Sequence, residues 1–201
     1  CTILDQQELI VQLQQGSESA FVRLVDEWQD MVYNTALGIV QNAEDADDIA
    51  QEVFIQVFKS IRSFKGDAKL STWIYRITIT KSLDHEKRKK RKKRFAFVQS
   101  LFGDGNEEEA QPAEFNHPGV QMENKEKATG LLQAIDRLPE KQKVAFVLHK
   151  LEGQSHREIA EIMKTSLVSV ESLIARAKTN LRKLLTEYYK DKIIEPEKDP
   201  L

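Results

Sequence analysis

Two groups of residues in this 201-residue chain are of types that bind nucleic acid. The first interleaves rings with cations: Phe64, Lys65, Lys69, Trp73, Tyr75, Arg76 and Lys81. Unpaired bases stack on flat rings while lysine and arginine hold the backbone, so the alternation suits single-stranded DNA. Each stacked base is stabilised by roughly 1–3 kcal/mol, enough to help keep a few bases out of a duplex. The same rings could serve as core. On sequence grounds Trp73 divides evenly between the two roles, and Phe64 leans toward packing.

The second group lies near the C terminus. Ser155 and Glu158 form an S-x-x-E capping box that starts a short helix through Ile159, Ile162 and Met163. Lys164-Thr165-Ser166 is a tight polar connection, and a longer helix follows through Val170, Leu173, Ile174, Ala177 and Leu181. A short capped helix, a tight turn and a longer helix make a helix-turn-helix pattern, whose second helix can enter a major groove. Ile159 and Val170 would pack the pair, with small Ala160 permitting close approach. Base-edge contacts would come from among Ser166, Ser169, Glu171, Ser172 and Ala175, and phosphate contacts from Arg176, Lys178, Arg182 and Lys183. A hairpin in an ordinary helical bundle would share this pattern.

A third set faces the other way in charge. Asp45, Asp47, Asp48, Gln51, Glu52 and Gln56 lie off the apolar stripe of one helix. Such a face repels DNA, so it is either solvated or meets a basic protein partner. Nothing points to catalysis. His85, His117, His149 and His156 are dispersed without metal-ligand spacing, and no glycine-rich phosphate loop is present. No catalytic residue, metal or cofactor is expected.

The elements that must position these residues read as helices. Charged residues make up 31% of the chain and hydrophobic ones 40%, with Gly 8 and Pro 5, which disfavours turn-rich sandwiches and barrels. Leu9, Ile10 and Leu13 belong to a first helix ended by Gly16. Ser17 caps a second through Phe21, Leu24, Val25, Trp28 and Val32. Asn42 caps a third, whose stripe runs Ala46, Ile49, Ala50, Val53, Phe54, Val57, Phe58 and Ile61. After a turn at Phe64-Lys65-Gly66-Asp67, Ser71 or Thr72 opens a fourth helix, which ends in the run Lys87 to Arg94. Every residue of that run is lysine or arginine, and it could be a solvated tail. Gly103, Gly105, Pro112, Pro118 and Gly119 then appear beside Glu107, Glu108 and Glu109, which marks a flexible acidic linker. Helices resume with Leu131, Leu132, Ile135 and Leu138, then Pro139, then Val144, Val147, Leu148 and Leu151, with a stop at Gly153.

The expected fold is therefore all-α: two small helical domains, 1–94 and 127–190, joined by a linker at 95–126 and followed by a tail at 191–201. The single cysteine, Cys1, excludes a disulfide framework within one chain. With no apolar run of about 20 residues and no signal-like start across Asp5 to Glu8, the expected location is cytoplasmic, without membrane insertion.

Three stretches add a resemblance. Ala46-Asp47-Asp48-Ile49-Ala50-Gln51-Glu52-Val53-Phe54-Ile55 resembles the polymerase-binding segment, region 2.2, of sigma-70-family proteins. Phe64-Lys65-Gly66-Asp67 with Ser71-Thr72-Trp73-Ile74-Tyr75-Arg76-Ile77 resembles regions 2.3 and 2.4, which read the −10 promoter element. Leu138-Pro139-Glu140, Glu158 to Met163 and Val170-Glu171-Ser172 through Leu181 resemble region 4, which reads the −35 element. The order and separation match, and no room exists for a domain between, so the likeness is to the extracytoplasmic-function (ECF) group.

The resemblance implies a promoter-specificity subunit. Asp48, Gln51, Glu52, Phe54 and Ile55 would engage core RNA polymerase at the clamp helices of its largest subunit, with Phe54 alternatively in the core. Phe64, Lys65, Trp73, Tyr75, Arg76 and Thr80 would melt and read the −10 element. Ser169, Glu171, Ser172, Leu173, Arg176 and Lys178 would read the −35 element. Polymerase (clamp helices and flap), promoter DNA and an anti-sigma factor are the implied partners, and the linker would run toward the RNA exit channel. Thr80 stands where many members have Asn, and Glu171 and Leu173 stand where basic residues are common, so the −35 helix is less basic than usual. The competing reading is a stand-alone helix-turn-helix regulator, which core polymerase would not bind.

Overall fold

The computed structural model describes residues 3–102 and 125–194, with side chains described from 6 to 95 and from 130 to 190. The regular elements among these residues are all helices. The chain divides into two compact units, Cys1–Phe115 and Asn116–Leu201.

The first unit comprises α1 (Ile3–Gln14), α2 (Glu18–Val40), α3 (Ala43–Ser60), a 3-10 turn (Ile61–Ser63) and α4 (Leu70–Phe102). Its joints follow from local chemistry. Gly16 takes φ +83°, a left-handed conformation costly for residues with a Cβ, and the Ser17 N–H reaches back to the Gln12 carbonyl. Ser17 then caps α2 by accepting from the Ala20 N–H, and Asn42 caps α3 by accepting from Asp45 N–H at 2.8 Å. Leu24, Trp28, Val32 and Ala36 of α2 meet Ile49, Val53 and Val57 of α3 and Leu70 and Ile74 of α4 in one core. Burying side chains of this size contributes about 1.5–3 kcal/mol each, so the core orients every exposed face discussed below.

The second unit comprises α5 (Lys125–Asp136), α6 (Glu140–Lys150), α7 (His156–Ile162) and α8 (Leu167–Ile194). Leu138, Val144, Leu148, Ile159, Val170, Ile174 and Ala177 are buried within it. The Ser155/Glu158 capping box is complete, with Glu158 N–H donating to Ser155 Oγ and the Glu158 carboxylate accepting from Ser155 N–H. Lys143 is 1% exposed, and its ammonium donates to Asp136 Oδ1 at 2.9 Å, joining the end of α5 to α6. Asn180 donates to Gln142 at 2.8 Å, which ties α6 to α8.

Two expectations shift. Helix α4 starts at Leu70 and does not stop at Arg94 but runs to Phe102, into the segment read as linker. Phe95 to Phe102 contains neither glycine nor proline, and the breakers that marked the linker begin only at Gly103. Helix α5 likewise takes up Lys125 and Glu126, and α8 extends to Ile194 in the expected tail. The rest of the expected linker, 103–124, and of the tail, 195–201, lies outside the described residues. None of the described helices is long and apolar enough to cross a membrane.

Candidate polymerase and promoter interfaces

The α3 acidic face is split by its packing against α4. Glu52 pairs across the interface with Lys81 at 3.3 Å and Arg88 at 3.8 Å, and Asp45 pairs with Lys89 and lies 3.6 Å from His85. Partly exposed pairs of this kind stabilise by about 0.2–1 kcal/mol each, less in salt. What remains pointing outward is a stripe at helical spacing: Asp47, Asp48, Gln51, Ile55 and Phe58. Ile55 is 53% exposed and Phe58 57%, and the Phe58 ring meets Phe21 of α2 edge-on at 5.2 Å. Phe54 is half-buried against the core. Of the expected polymerase contacts, Asp48, Gln51 and Ile55 thus share one accessible face, Glu52 is engaged within the unit, and Phe54 serves packing. Phe58, read from sequence as part of the core stripe, lies on the surface instead. The adjacent apolar pairs Phe54–Ile55 and Val57–Phe58 left the width of the buried face open, and the packing of α2 and α4 on α3 decides it.

The −10 candidates gather where the 3-10 turn hands over to α4. The Gln14 side chain of α1 donates to the Phe64 carbonyl at 2.9 Å and fixes the turn on the bundle. Phe64 and Trp73 face each other with ring centroids 5.0 Å apart, both partly buried against the core, so the pair is at once packed and accessible along an edge. Lys65 and Lys69 stand exposed beside it. Trp73, Arg76 and Thr80 follow one another on a single face of α4, at steps of three and four. The Thr80 hydroxyl donates to the Arg76 carbonyl at 2.8 Å, which leaves its lone pairs to accept. Tyr75 does not join them. It is 5% exposed and points into the bundle, because one step of 100° from Ile74 keeps it on the buried side.

On α8, Ser166 caps the helix by accepting from the Ser169 N–H, and its own hydroxyl donates to Ser169 Oγ. Ser169 is therefore partly used in the cap. Glu171, Ser172, Arg176 and Lys178 are exposed, whereas Leu173 is half-buried on the flank. Val168, which sequence reasoning passed over, is 70% exposed on the same side as Ser172 and Ala175. An apolar residue two positions before an obvious core position, Val170, carried no periodic signal that would have set it apart.

Comparison with known proteins identifies the family of both units. The family model for Sigma-70 region 2 matches residues 24–92, and that for Sigma-70, region 4, matches residues 129–181. The chain is 31% identical over 186 residues to the RNA polymerase sigma-H factor of Pseudomonas aeruginosa, covering 89% of this chain and 93% of that one. It is 30% identical over 175 residues to the ECF RNA polymerase sigma-E factor of Escherichia coli, covering 87% and 91%. Among solved structures, CnrH in complex with the cytosolic domain of CnrY shares the fold at a TM-score of 0.64 and 20% identity, covering 90% of this chain and 97% of that one. The sigma factor RpoE of Bartonella quintana, in complex with the anti-sigma factor NepR, does so at 0.56 and 21%, covering 83% and 96%. The helical bundle with its ring pair, the capped helix-turn-helix and the two matched regions in order place the chain in the sigma-70 family, among the ECF sigma factors that direct RNA polymerase to promoters.

Proposed function

We propose that the two units divide promoter work among three surfaces, with no reaction of their own. The Asp48–Gln51–Ile55 face of α3, flanked by Phe58, holds core polymerase at the clamp helices of its largest subunit. The Phe64–Trp73 pair with Lys65, Arg76 and Thr80 captures unpaired bases of the −10 element. The exposed side of α8, with Ser169, Glu171, Ser172, Arg176 and Lys178, enters the major groove at the −35 element. Val168 adds an apolar surface there suited to a thymine methyl group, and region 4 also meets the polymerase flap. Residues 1–94 act as region 2 and 127–190 as region 4, in the cytoplasm.

The observation that carries this reading is the separation of faces on the first unit. An acidic stripe with an apolar flank lies on α3, while rings and cations lie on α4 and the turn before it. A protein partner with basic residues fits the former and DNA the latter. An anti-sigma factor is a further partner. The capture of related folds with CnrY and NepR supports this.

The test is binding to purified core polymerase followed by runoff transcription over a promoter library. Asp48→Arg is expected to reduce core binding at least tenfold without loss of helicity. Retention of Asp48→Arg at the wild-type level would remove α3 from the polymerase interface, and failure of the wild type to bind core would end the whole reading.

A further inference from the structure

None of the usual stabilising arrangements accounts for the carboxylate of Glu171. It is the fifth residue of α8, past the first turn, where the helix dipole no longer favours negative charge. It is exposed, and its side chain has neither an ion pair nor a hydrogen bond among the described residues. The residues one turn away on the same helix, Leu167, Val168, Ile174 and Ala175, are all apolar, so no cation stands at the spacing that stabilises a helical glutamate. Leu167, Val168 and Ala175 are themselves exposed, Val168 to 70%.

The setting of α8 decides what this carboxylate can meet. Val170, Ile174, Ala177 and Leu181 are buried. At about 100° per residue, Val168, Ser172 and Ala175 face away from them, and Glu171 stands at the edge of that outward side. The cations of its own flank, Lys178 and Arg182, lie about 10 Å and 16 Å further along the axis, at about 1.5 Å per residue. Phosphates therefore suit the distal turns, and base edges the first two. Against phosphate a carboxylate is repelled, whereas against a base edge it needs an amino donor. Cytosine N4 and adenine N6 both donate in the major groove. Beside the adenine amino group lies N7, an acceptor that repels a carboxylate; beside that of cytosine lies an apolar C5–H. The exposed apolar side chains around Glu171 match the cytosine edge and keep water from the hydrogen bond, which strengthens it.

We propose that Glu171 determines one position of the −35 element: the N4 amino group of a cytosine donates to its carboxylate in the major groove, and the protein selects a C·G pair there. The proposal rests on the −35 reading of α8 and gives one of its positions a base.

The test is selection by the holoenzyme formed with core polymerase. The template is a promoter recovered from the library above, with its −10 element fixed and its −35 element randomised. Wild type is expected to enrich cytosine at one position by about fivefold or more over each other base, the low end of what a mismatched pair costs. Glu171→Ala should lose that preference while the preferences at other positions remain. Glu171→Gln keeps the shape, removes the charge and adds a donor for N7, so adenine should rise relative to cytosine at the same position.

Absence of a cytosine position in the wild-type selection would overturn the proposal, as would its persistence in Glu171→Ala. So would an equal gain in affinity of Glu171→Ala for every sequence, which is the behaviour of a carboxylate facing phosphate. Arg176→Ala separates the two readings. If it weakens binding to the selected −35 duplexes while Glu171→Ala leaves every base preference unchanged, only the proposal falls; if wild type enriches no base anywhere in the −35 element, the −35 reading falls with it.

Discussion

At the scale of single residues, packing decides whether a ring can do anything but fill space. Trp73 and Phe64 lean on the bundle and on each other, yet neither is fully buried, so a base can stack on what remains open. Trp73→Ala should therefore lower promoter opening roughly tenfold or more, from the loss of about 1–3 kcal/mol of stacking, while binding to closed duplex changes little. Permanganate reactivity of the −10 thymines reads this directly, and a footprint equal to that of wild type would assign Trp73 to the core alone. Tyr75→Phe, by contrast, should leave opening within about twofold of wild type, since that side chain is buried and the substitution keeps its ring. The alternation of rings and bases along 64–81 was legible in the sequence. Which rings face out was not, because adjacent apolar residues on a helix differ only by a rotation that the neighbouring helices set.

At the scale of elements, capping and charge determine where each helix starts and how it is turned. The Ser155/Glu158 box opens α7 and so sets the entry of the helix-turn-helix. Ser155→Ala should destabilise the second unit by about 1 kcal/mol, lowering its Tm by several degrees in a calorimetric scan, with the first unit unaffected. An unchanged Tm would show that packing of Ile159 and Val170 alone holds the motif. The caps at Ser17, Asn42 and Ser155 were all readable, because each is a local pattern of a short polar residue before a periodic run. The extent of α4 was less so: the helix was expected to end with the run Lys87 to Arg94, but Phe95 to Phe102, free of glycine and proline, continues it. The cross-pairing of Glu52 with Lys81 and Arg88 could not be read at all, since it depends on the register of α3 against α4.

At the scale of the whole molecule, the net charge of −2 conceals surfaces of opposite sign. The α3 stripe is acidic with an apolar flank, and the α4 face is basic and aromatic, so one small bundle can touch protein and DNA without their charges conflicting. A reversal of the outward acids alone, Asp47→Lys with Asp48→Lys, should weaken core polymerase binding by an order of magnitude or more. It should leave binding of the isolated chain to single-stranded −10 oligonucleotides within about threefold, by fluorescence anisotropy. Loss of both activities together would mean that the two faces are not independent.

The sequence by itself determined that the chain is helical, that two groups of helices are separated by a break-rich acidic stretch, and that the motifs of regions 2 and 4 occur in order. These properties are written in periodicity, caps and composition, which act between residues close together in the chain. Only the tertiary structure decided that Phe58 and Val168 are exposed, that Tyr75 is not, and that Glu52 is spent within the bundle. Each of those outcomes depends on how far one helix is rotated against another, and that rotation is fixed by the shared core of α2, α3 and α4 and by the packing of α8 on α6 and α7 rather than by any local run of residues.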